Sequence, residues 1–138
     1  MGDLEKLART IVERVIGEGK VELLDDLVTA DFVEHEGPPD VPRGPDAIRG
    51  FVTMFRTGFP DLKTKVIATA VSGDEVWVQS SATGTHQGEF NGIPATGKKI
   101  DIVMFDRVRT KDGKAAEHWG LSDNLTMMIQ LGVVPEPG

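Results

Sequence analysis

The side chains best suited to proton transfer in this sequence are three histidines and the carboxylates near them. An imidazole has an ordinary pKa of about 6.5, so a histidine can accept or donate a proton near neutral pH. His35, His86 and His118 all fall in stretches predicted to be loops or strand ends. Each of them could instead order its loop through a backbone hydrogen bond. We treat all three as candidate site residues.

His118 is the first candidate for a general base. It lies in the run from Ala115 to Leu121, which is predicted to be a β-strand. In a regular strand its side chain shares a face with Gly120, whereas Trp119 points to the opposite face. Asp123 follows at the start of a predicted helix. Asp123 is either the carboxylate that orients or charges His118, or the cap of that helix, and the two roles are compatible.

Asp106 is a second carboxylate in an unusual setting. It interrupts the otherwise apolar predicted strand from Ile100 to Val108 and has the same parity as Ile102 and Met104. A regular pleat would therefore turn Asp106 inward with these apolar side chains. An inward carboxylate has a raised pKa and can act as an acid. The alternative is an ion pair with Lys or Arg at a strand edge.

Aromatic side chains offer surfaces for a flat ligand, while several common chemistries are excluded. Trp77 and Trp119 either line a pocket for rings or serve as core or dimer contacts. The sequence has no short metal-ligand motif, no phosphate-binding glycine motif and no nucleophile elbow around Ser80-Ser81. It therefore predicts neither a metal site nor a serine hydrolase.

Composition limits the remaining function classes. A chain of 138 residues fits one domain, residues 1–138, and the absence of cysteine removes disulfides and thiolate nucleophiles. The formal net charge of -7 disfavours nucleic-acid and anionic membrane partners. The N-terminus is charged where a signal peptide needs an apolar segment, so a cytoplasmic location is expected. A small molecule is the expected partner.

The elements that must position these side chains change character along the chain. The first half predicts helices, and the second half predicts strands with an alternating apolar pattern. The predicted elements are a helix over Leu4–Ile16, a shorter helix over Val21–Val28, a segment Phe32–His35 leading into a loop, a helix from Gly44-Pro45 with Phe55 on its apolar face, a hairpin turning at Ser72–Asp74, a glycine-rich bent loop over Gly84–Gly97, a hairpin turning at Asp112-Gly113 and a helix ending at Gly132.

Helices followed by an antiparallel sheet predict an α+β fold, with the helices packed on one face of a curved sheet and a cavity between them. A family resemblance then covers nearly the whole chain, and three stretches are its most specific parts. They are Phe59-Pro60-Asp61, the segment Gly84-Thr85-His86 with Gly92–Lys98, and Glu117-His118-Trp119 followed by Asp123 and Gln130–Gly132.

The chain resembles the SnoaL-like polyketide cyclases and wider ester cyclase group of the nuclear-transport-factor-2-like, or ketosteroid-isomerase-like, superfamily. The resemblance implies a cone-shaped single domain, a deep and mostly apolar pocket, a homodimer or homotetramer, and cofactor-free chemistry. In the best-understood members that chemistry is an intramolecular aldol condensation of an aromatic polyketide ester.

The resemblance also locates a departure from the family pattern. In a gap-free alignment to Gln130–Gly132, the acid/base aspartate of the aldol cyclases falls on Gly120 and an accompanying histidine falls on Met104. Some relatives without that aspartate are linked to hydroxylation of anthracycline-type rings. The resulting site prediction has His118, Asp123, His86 and Asp106 as catalytic residues and a substrate pocket that includes His35, Phe55, Trp77, Met104, Trp119 and Gly120.

Three functions follow as hypotheses. The first is a cofactor-free enzyme that removes an acidic proton next to a carbonyl in a polyketide-like or polycyclic substrate and so promotes cyclisation or isomerisation. The second is a protein associated with hydroxylation or oxygenation. The third is a non-catalytic carrier of a small molecule. The fold alone does not choose among them.

Overall fold

The computed structural model describes residues 2–137 and has four helices and one five-stranded sheet. Helix α1 (Asp3–Arg9) continues as a π-helix (Thr10–Ile16), and a 3₁₀ turn (Val21–Leu23) leads into the short helix α2 (Leu24–Leu27). The remaining elements are β1 (Val28–Glu34), α3 (Pro45–Gly58), β2 (Lys63–Ser72), β3 (Glu75–Thr85), β4 (Lys99–Lys111), β5 (Lys114–Ser122) and α4 (Asn124–Gln130). The predicted α+β class is confirmed.

The sheet is open and has the strand order β1-β5-β4-β3-β2. Strands β2 to β5 form consecutive antiparallel hairpins, and β1 pairs in parallel with β5. The predicted turns at Ser72–Asp74 and Asp112-Gly113 are found between β2 and β3 and between β4 and β5. The sheet is therefore mixed, with antiparallel pairing in three of its four interfaces.

The first strand differs from the prediction. The second helix was expected to run to Val28, but it ends at Leu27, and Val28 begins β1. The segment Phe32–His35 was expected to lead into a loop, whereas most of it belongs to this strand. The local sequence carries little alternation, and the strand is fixed by pairing with the distant β5. Tertiary contacts thus override the local helical pattern.

The helices cover one face of the sheet and leave the other exposed. Along β4, Ile100, Ile102 and Met104 are buried under the helices, while Val103 and Phe105 point outward. The buried side chains form two apolar clusters, one mainly around α1, α2 and β1 and the other around the end of α3, β4 and α4. Because the strand period is two, each strand contributes one side chain in two to the covered face.

Gly44 fixes the connection between β1 and α3. Its φ of 82° lies in the left-handed region, and a Cβ there would lie 2.6 Å from the carbonyl oxygen of Ala30. Its N–H donates to the carbonyl oxygen of Phe32 at 2.8 Å, and Pro45 then starts α3. The loop between β1 and α3 is thereby held beside the sheet.

No helix in residues 2–137 is both long and apolar enough to span a bilayer.

Candidate functional site

A cavity of about 640 Å³ lies between the helices and the covered face of the sheet. Most of its wall is apolar, and this volume is within the range of small-molecule sites. The apolar wall includes Phe32 of β1, Phe51 and Phe55 of α3, and Ile102 and Met104 of β4. Phe55 and Met104, both predicted as pocket residues, are therefore part of the wall. Polar side chains converge at one place in it.

His118 occupies the centre of that polar group, between two carboxylates. Its Nδ1 is hydrogen-bonded to an oxygen of Glu34, and its Nε2 lies 2.7 Å from Oδ1 of Asp106. The three residues come from β1, β5 and β4, and all of them line the cavity. The parallel register pairs Glu34 with His118, which brings the first carboxylate into reach. A carboxylate–imidazole–carboxylate relay is the result.

The His118 ring of the relay is protonated at neutral pH. Burial opposes a charge on His118, but hydrogen bonds with Asp106 and Glu34, together with their negative charges, outweigh burial and raise its pKa to about 10. The ring is therefore an imidazolium at neutral pH, with both N–H groups donating to carboxylates. In this state His118 holds a proton, and it cannot accept another.

Three predicted pocket residues lie on the opposite face of the sheet. His35 contacts Glu117 at 2.6 Å and stacks on Trp119 with the ring centroids 4.7 Å apart. The guanidinium of Arg107 lies over the rings of both Trp77 and Trp119, at 5.4 and 4.3 Å from their centroids. The prediction of His35, Trp77 and Trp119 as pocket residues is therefore wrong. Odd-numbered positions of β3 point away from the helices, as do Glu117 and Trp119 of β5, and His35 follows the same parity beyond β1.

His86 is fully buried but does not line the cavity. Its Nδ1 lies 3.0 Å from Oγ1 of Thr96 and accepts from the backbone N–H of Thr96 at 3.2 Å. Its ring also stacks on Phe59. His86 thus orders the glycine-rich loop, and the structure does not bring it to the polar group around His118.

Asp123 likewise has a structural role. Its carboxylate accepts from the backbone N–H of Thr126 at 3.1 Å and from the hydroxyl of Thr126 at 2.6 Å. These bonds lower the pKa of Asp123 and cap α4. The predicted pairing of Asp123 with His118 is not present, because Glu34 and Asp106 occupy both nitrogens of that ring.

Known proteins share sequence and fold with this chain. The profile of the family described as SnoaL-like polyketide cyclase matches residues 6–131. The chain belongs to the SnoaL-like polyketide cyclase family. Two similar proteins are aklanonic acid methyl ester cyclases, DauD of Streptomyces sp. (strain C5) at 29% identity and DnrD of Streptomyces peucetius at 27%. The alignments cover 88% of this chain in both cases and 80% and 88% of the two relatives.

Solved structures of similar proteins support the same assignment. TsrD from Streptomyces laurentii superposes with a TM-score of 0.88 at 25% identity, and the match covers 96% of each chain. IdmH from Streptomyces antibioticus superposes with a TM-score of 0.79 at 33% identity, covering 96% of this chain and all of that one. The SnoaL-like fold is thus shared along nearly the whole length of the protein.

Gly120 adjoins the polar group of this SnoaL-like chain, at the position where the family resemblance placed an aspartate. A Cβ on Gly120 would lie 2.5 Å from Oδ1 of Asp106, 2.8 Å from Oε1 of Glu36 and 2.8 Å from Cε1 of His118. These distances are too short for real contacts. The space that an aspartate would need is therefore filled by side chains from three other positions.

The polar group also contains one possible donor set for a metal ion. Within residues 2–137, one oxygen of Glu36, one oxygen of Asp106 and one nitrogen of His118 lie within 4.8 Å of one another. Both nitrogens of His118 already donate to carboxylates, and a protonated imidazole has no lone pair for a metal. The arrangement therefore fits a protonated His118 better than a bound metal ion.

Sequence reasoning missed Glu34 and Glu36. Both have the parity of Phe32, which is 1% exposed, so a strand that continued from Phe32 would turn both inward. That parity was not applied to Phe32-Val33-Glu34-His35-Glu36, because this stretch was predicted as the approach to a loop.

Proposed function

We propose that this protein is an acid/base enzyme of the cyclase or isomerase type that needs no cofactor and acts on a polyketide-like or polycyclic carbonyl compound. The observation that supports the proposal is the Glu34–His118–Asp106 relay in the wall of an apolar cavity. Titratable groups with strongly shifted pKa values in a cavity are typical of catalytic sites. We also expect the enzyme to work in the cytoplasm.

Asp106 is the base in this proposal. The sequence favoured His118, but an imidazolium with a pKa of about 10 cannot take up a proton at neutral pH. Asp106 uses Oδ1 to bind His118, and its other oxygen makes no hydrogen bond to another described residue. That oxygen is available to a substrate in the cavity. His118 and Glu34 then act as positioning residues that keep the Asp106 carboxylate in place and balance its charge.

The reaction proceeds by transfer of one proton and formation of one bond. Asp106 removes the proton from a carbon next to a carbonyl group, and the C–H electron pair moves to give an enolate. In a cyclisation the enolate carbon attacks a second carbonyl of the same molecule and forms a C–C bond. The resulting alkoxide takes the proton back from Asp106, which regenerates the carboxylate. In an isomerisation the proton returns to a different carbon.

The proposal is tested with aklanonic acid methyl ester, the compound named in the two similar cyclases, followed by mass spectrometry after chromatography. An aldol cyclisation gives a new compound of unchanged mass, a hydroxylation adds one oxygen, and a carrier gives no product. Replacing a positioned proton-transfer group lowers the rate about 10²–10⁴-fold, so Asp106→Asn should lose activity to that extent. Asp31→Asn is the control, because Asp31 is an exposed carboxylate of β1 outside the cavity. Full turnover by Asp106→Asn would refute the assignment.

We further propose that two copies associate through the exposed face of the sheet. Leu121 is 79% exposed, Phe105 57% and Trp77 48%, and they belong to three adjacent strands. An exposed apolar surface of this kind is typical of a subunit interface. Sedimentation should detect a dimer or tetramer at micromolar concentration, and Phe105→Glu combined with Leu121→Glu should yield monomers. A monomeric parent protein would contradict this proposal.

A further inference from the structure

Glu36 is a further acid in the cavity wall, separate from the three residues of the relay. It lies two residues after Glu34, just beyond the end of β1, and is partly buried. One of its oxygens lies within 4.8 Å of both a carboxylate oxygen of Asp106 and a nitrogen of His118. The side chain also points to the space beside Gly120. Glu36 therefore faces the same part of the cavity as the base.

The carboxyl group of Glu36 has no protein partner among the described residues. Its backbone N–H donates to Glu34 at 3.2 Å, but neither of its side-chain oxygens makes a hydrogen bond within residues 2–137. Burial raises the pKa of Glu36, and the negative charges of Asp106 and Glu34 add to this effect, against an opposing effect of His118. These surroundings favour the protonated carboxyl group, which can donate a hydrogen bond to a ligand.

We propose that Glu36 is a catalytic acid whose protonated carboxyl group donates a hydrogen bond to the substrate carbonyl oxygen while Asp106 removes the neighbouring proton. This inference rests on the proposed function of the cavity. As the C–H bond breaks, negative charge accumulates on that oxygen. A hydrogen-bond donor already aimed at it stabilises the enolate more than the ketone and so accelerates the reaction.

The charges around Glu36 also define the class of substrate. Glu34 on β1, Asp106 on β4, Asp40 in the loop and Asp46 on α3 are acidic groups in the same cavity wall. His118 is the one basic side chain among the described residues that line it, and both of its N–H groups are used. An anionic ligand would meet no free cation here. The site therefore favours an uncharged carbonyl compound, such as a β-keto ester, over the corresponding free acid.

Two substitutions of Glu36 distinguish the effect of losing its hydrogen-bond donor from the effect of changing its side-chain shape. Glu36→Leu removes the donor, and kcat should fall about 10²–10³-fold with little change in KM. Glu36→Gln keeps a donor that does not titrate, so it should retain most of the rate near neutral pH. The parent enzyme needs the protonated acid, so its rate should fall as pH rises through the pKa of Glu36. That alkaline decline should be absent from Glu36→Gln.

The variants of Asp106 and Asp31 distinguish an error in the role of Glu36 from an error in the proposed function. If Glu36→Leu keeps full kcat while Asp106→Asn loses it, the role of Glu36 is refuted and the proposed function stands. If Asp106→Asn also keeps full kcat, the proposed function fails. Asp31→Asn should behave like the parent enzyme in all assays, since Asp31 is exposed and lies outside the cavity.

A measurement without substrate tests the proton on Glu36 directly. Protein labelled with ¹³C at the glutamate side-chain carboxyl is titrated by NMR, and the Glu36 signal is the one missing from Glu36→Gln. We expect this signal to titrate above the ordinary glutamate pKa of about 4.3. A signal showing that Glu36 is already ionised at neutral pH would overturn the proposal whatever the substrate.

Discussion

Replacement of His118 by glutamine should destabilise the protein strongly at neutral pH. The imidazolium is the only cation in the relay, and its side chain is just 15% exposed, so solvent screens it little. Against an ordinary value of 6.5, a folded-state pKa of about 10 corresponds to an upper limit of about 5 kcal/mol of stability. Removal of one partner from a buried ion pair costs about 3–5 kcal/mol, because the other charge is left unpaired. The two arguments agree, so we expect a loss of about 3–5 kcal/mol for His118→Gln.

The stabilisation that His118 provides should decrease as the pH rises. The folded protein holds a proton on His118 that the unfolded chain releases above a pH of about 6.5. The contribution of His118 is therefore complete below that pH and is lost as the pH rises through about 10. Between these limits, the stability of the parent protein should fall by about 1.4 kcal/mol per pH unit relative to His118→Gln.

Urea unfolding of both proteins at a series of pH values measures this difference. His35→Gln is the matched control, because it removes an imidazole bonded to a carboxylate on the exposed face of the sheet. Exposed ion pairs contribute about 0–1 kcal/mol, so the control should lose little stability. The reasoning is refuted if His118→Gln costs less than about 1 kcal/mol near pH 7, well below the value for a broken buried pair. A difference that does not change with pH would refute it as well.

Three further substitutions test stability alone. Gly120→Ala would place a Cβ 2.5 Å from Oδ1 of Asp106, and overpacking of this kind costs about 1–3 kcal/mol. Gly50→Ala, on α3 with no atom within 4 Å of its added Cβ, should instead stabilise by about 0.4–1 kcal/mol. Asp123→Ala should cost about 0.5–2 kcal/mol through loss of the α4 cap. Urea midpoints measure all three changes; equal effects of the two glycine substitutions, or an unchanged midpoint for Asp123→Ala, would contradict them.

The antiparallel part of the sheet could be predicted because its strands pair with their neighbours in the sequence. The strands of each hairpin are adjacent in the chain, and the apolar side chains of β4 alternate clearly enough to place Asp106 on the covered face. Strand β1 could not be recognised in the same way. Its sequence has small and polar residues in the middle, and it pairs with β5, which is far away in the chain. Glu34 and Glu36 were missed together with this strand.

The errors on the exposed face have a different origin. Alternation assigns His118 and Trp119 to opposite faces of β5, but it does not say which face the helices enclose. A large aromatic side chain was therefore assigned to the pocket when it belongs to the outside. At Gly120 the parity was predicted correctly, but alternation does not say what fills the space beside it. Only the structure reveals that Glu36, Asp106 and His118 fill it.

The parallel pairing of β1 with β5 also determines when the Glu34–His118–Asp106 relay forms during folding. The hydrogen bond from His118 to Glu34 spans 84 residues of sequence, whereas β2 to β5 join only neighbouring strands. Closing a long loop has a higher entropic cost than forming a hairpin, so β1 should join the sheet late. A folding intermediate that contains β2 to β5 already holds Asp106 next to His118 but lacks Glu34 and Glu36. Catalytic competence should therefore arise only when β1 docks, and local opening of this edge strand should abolish activity before the rest of the protein unfolds.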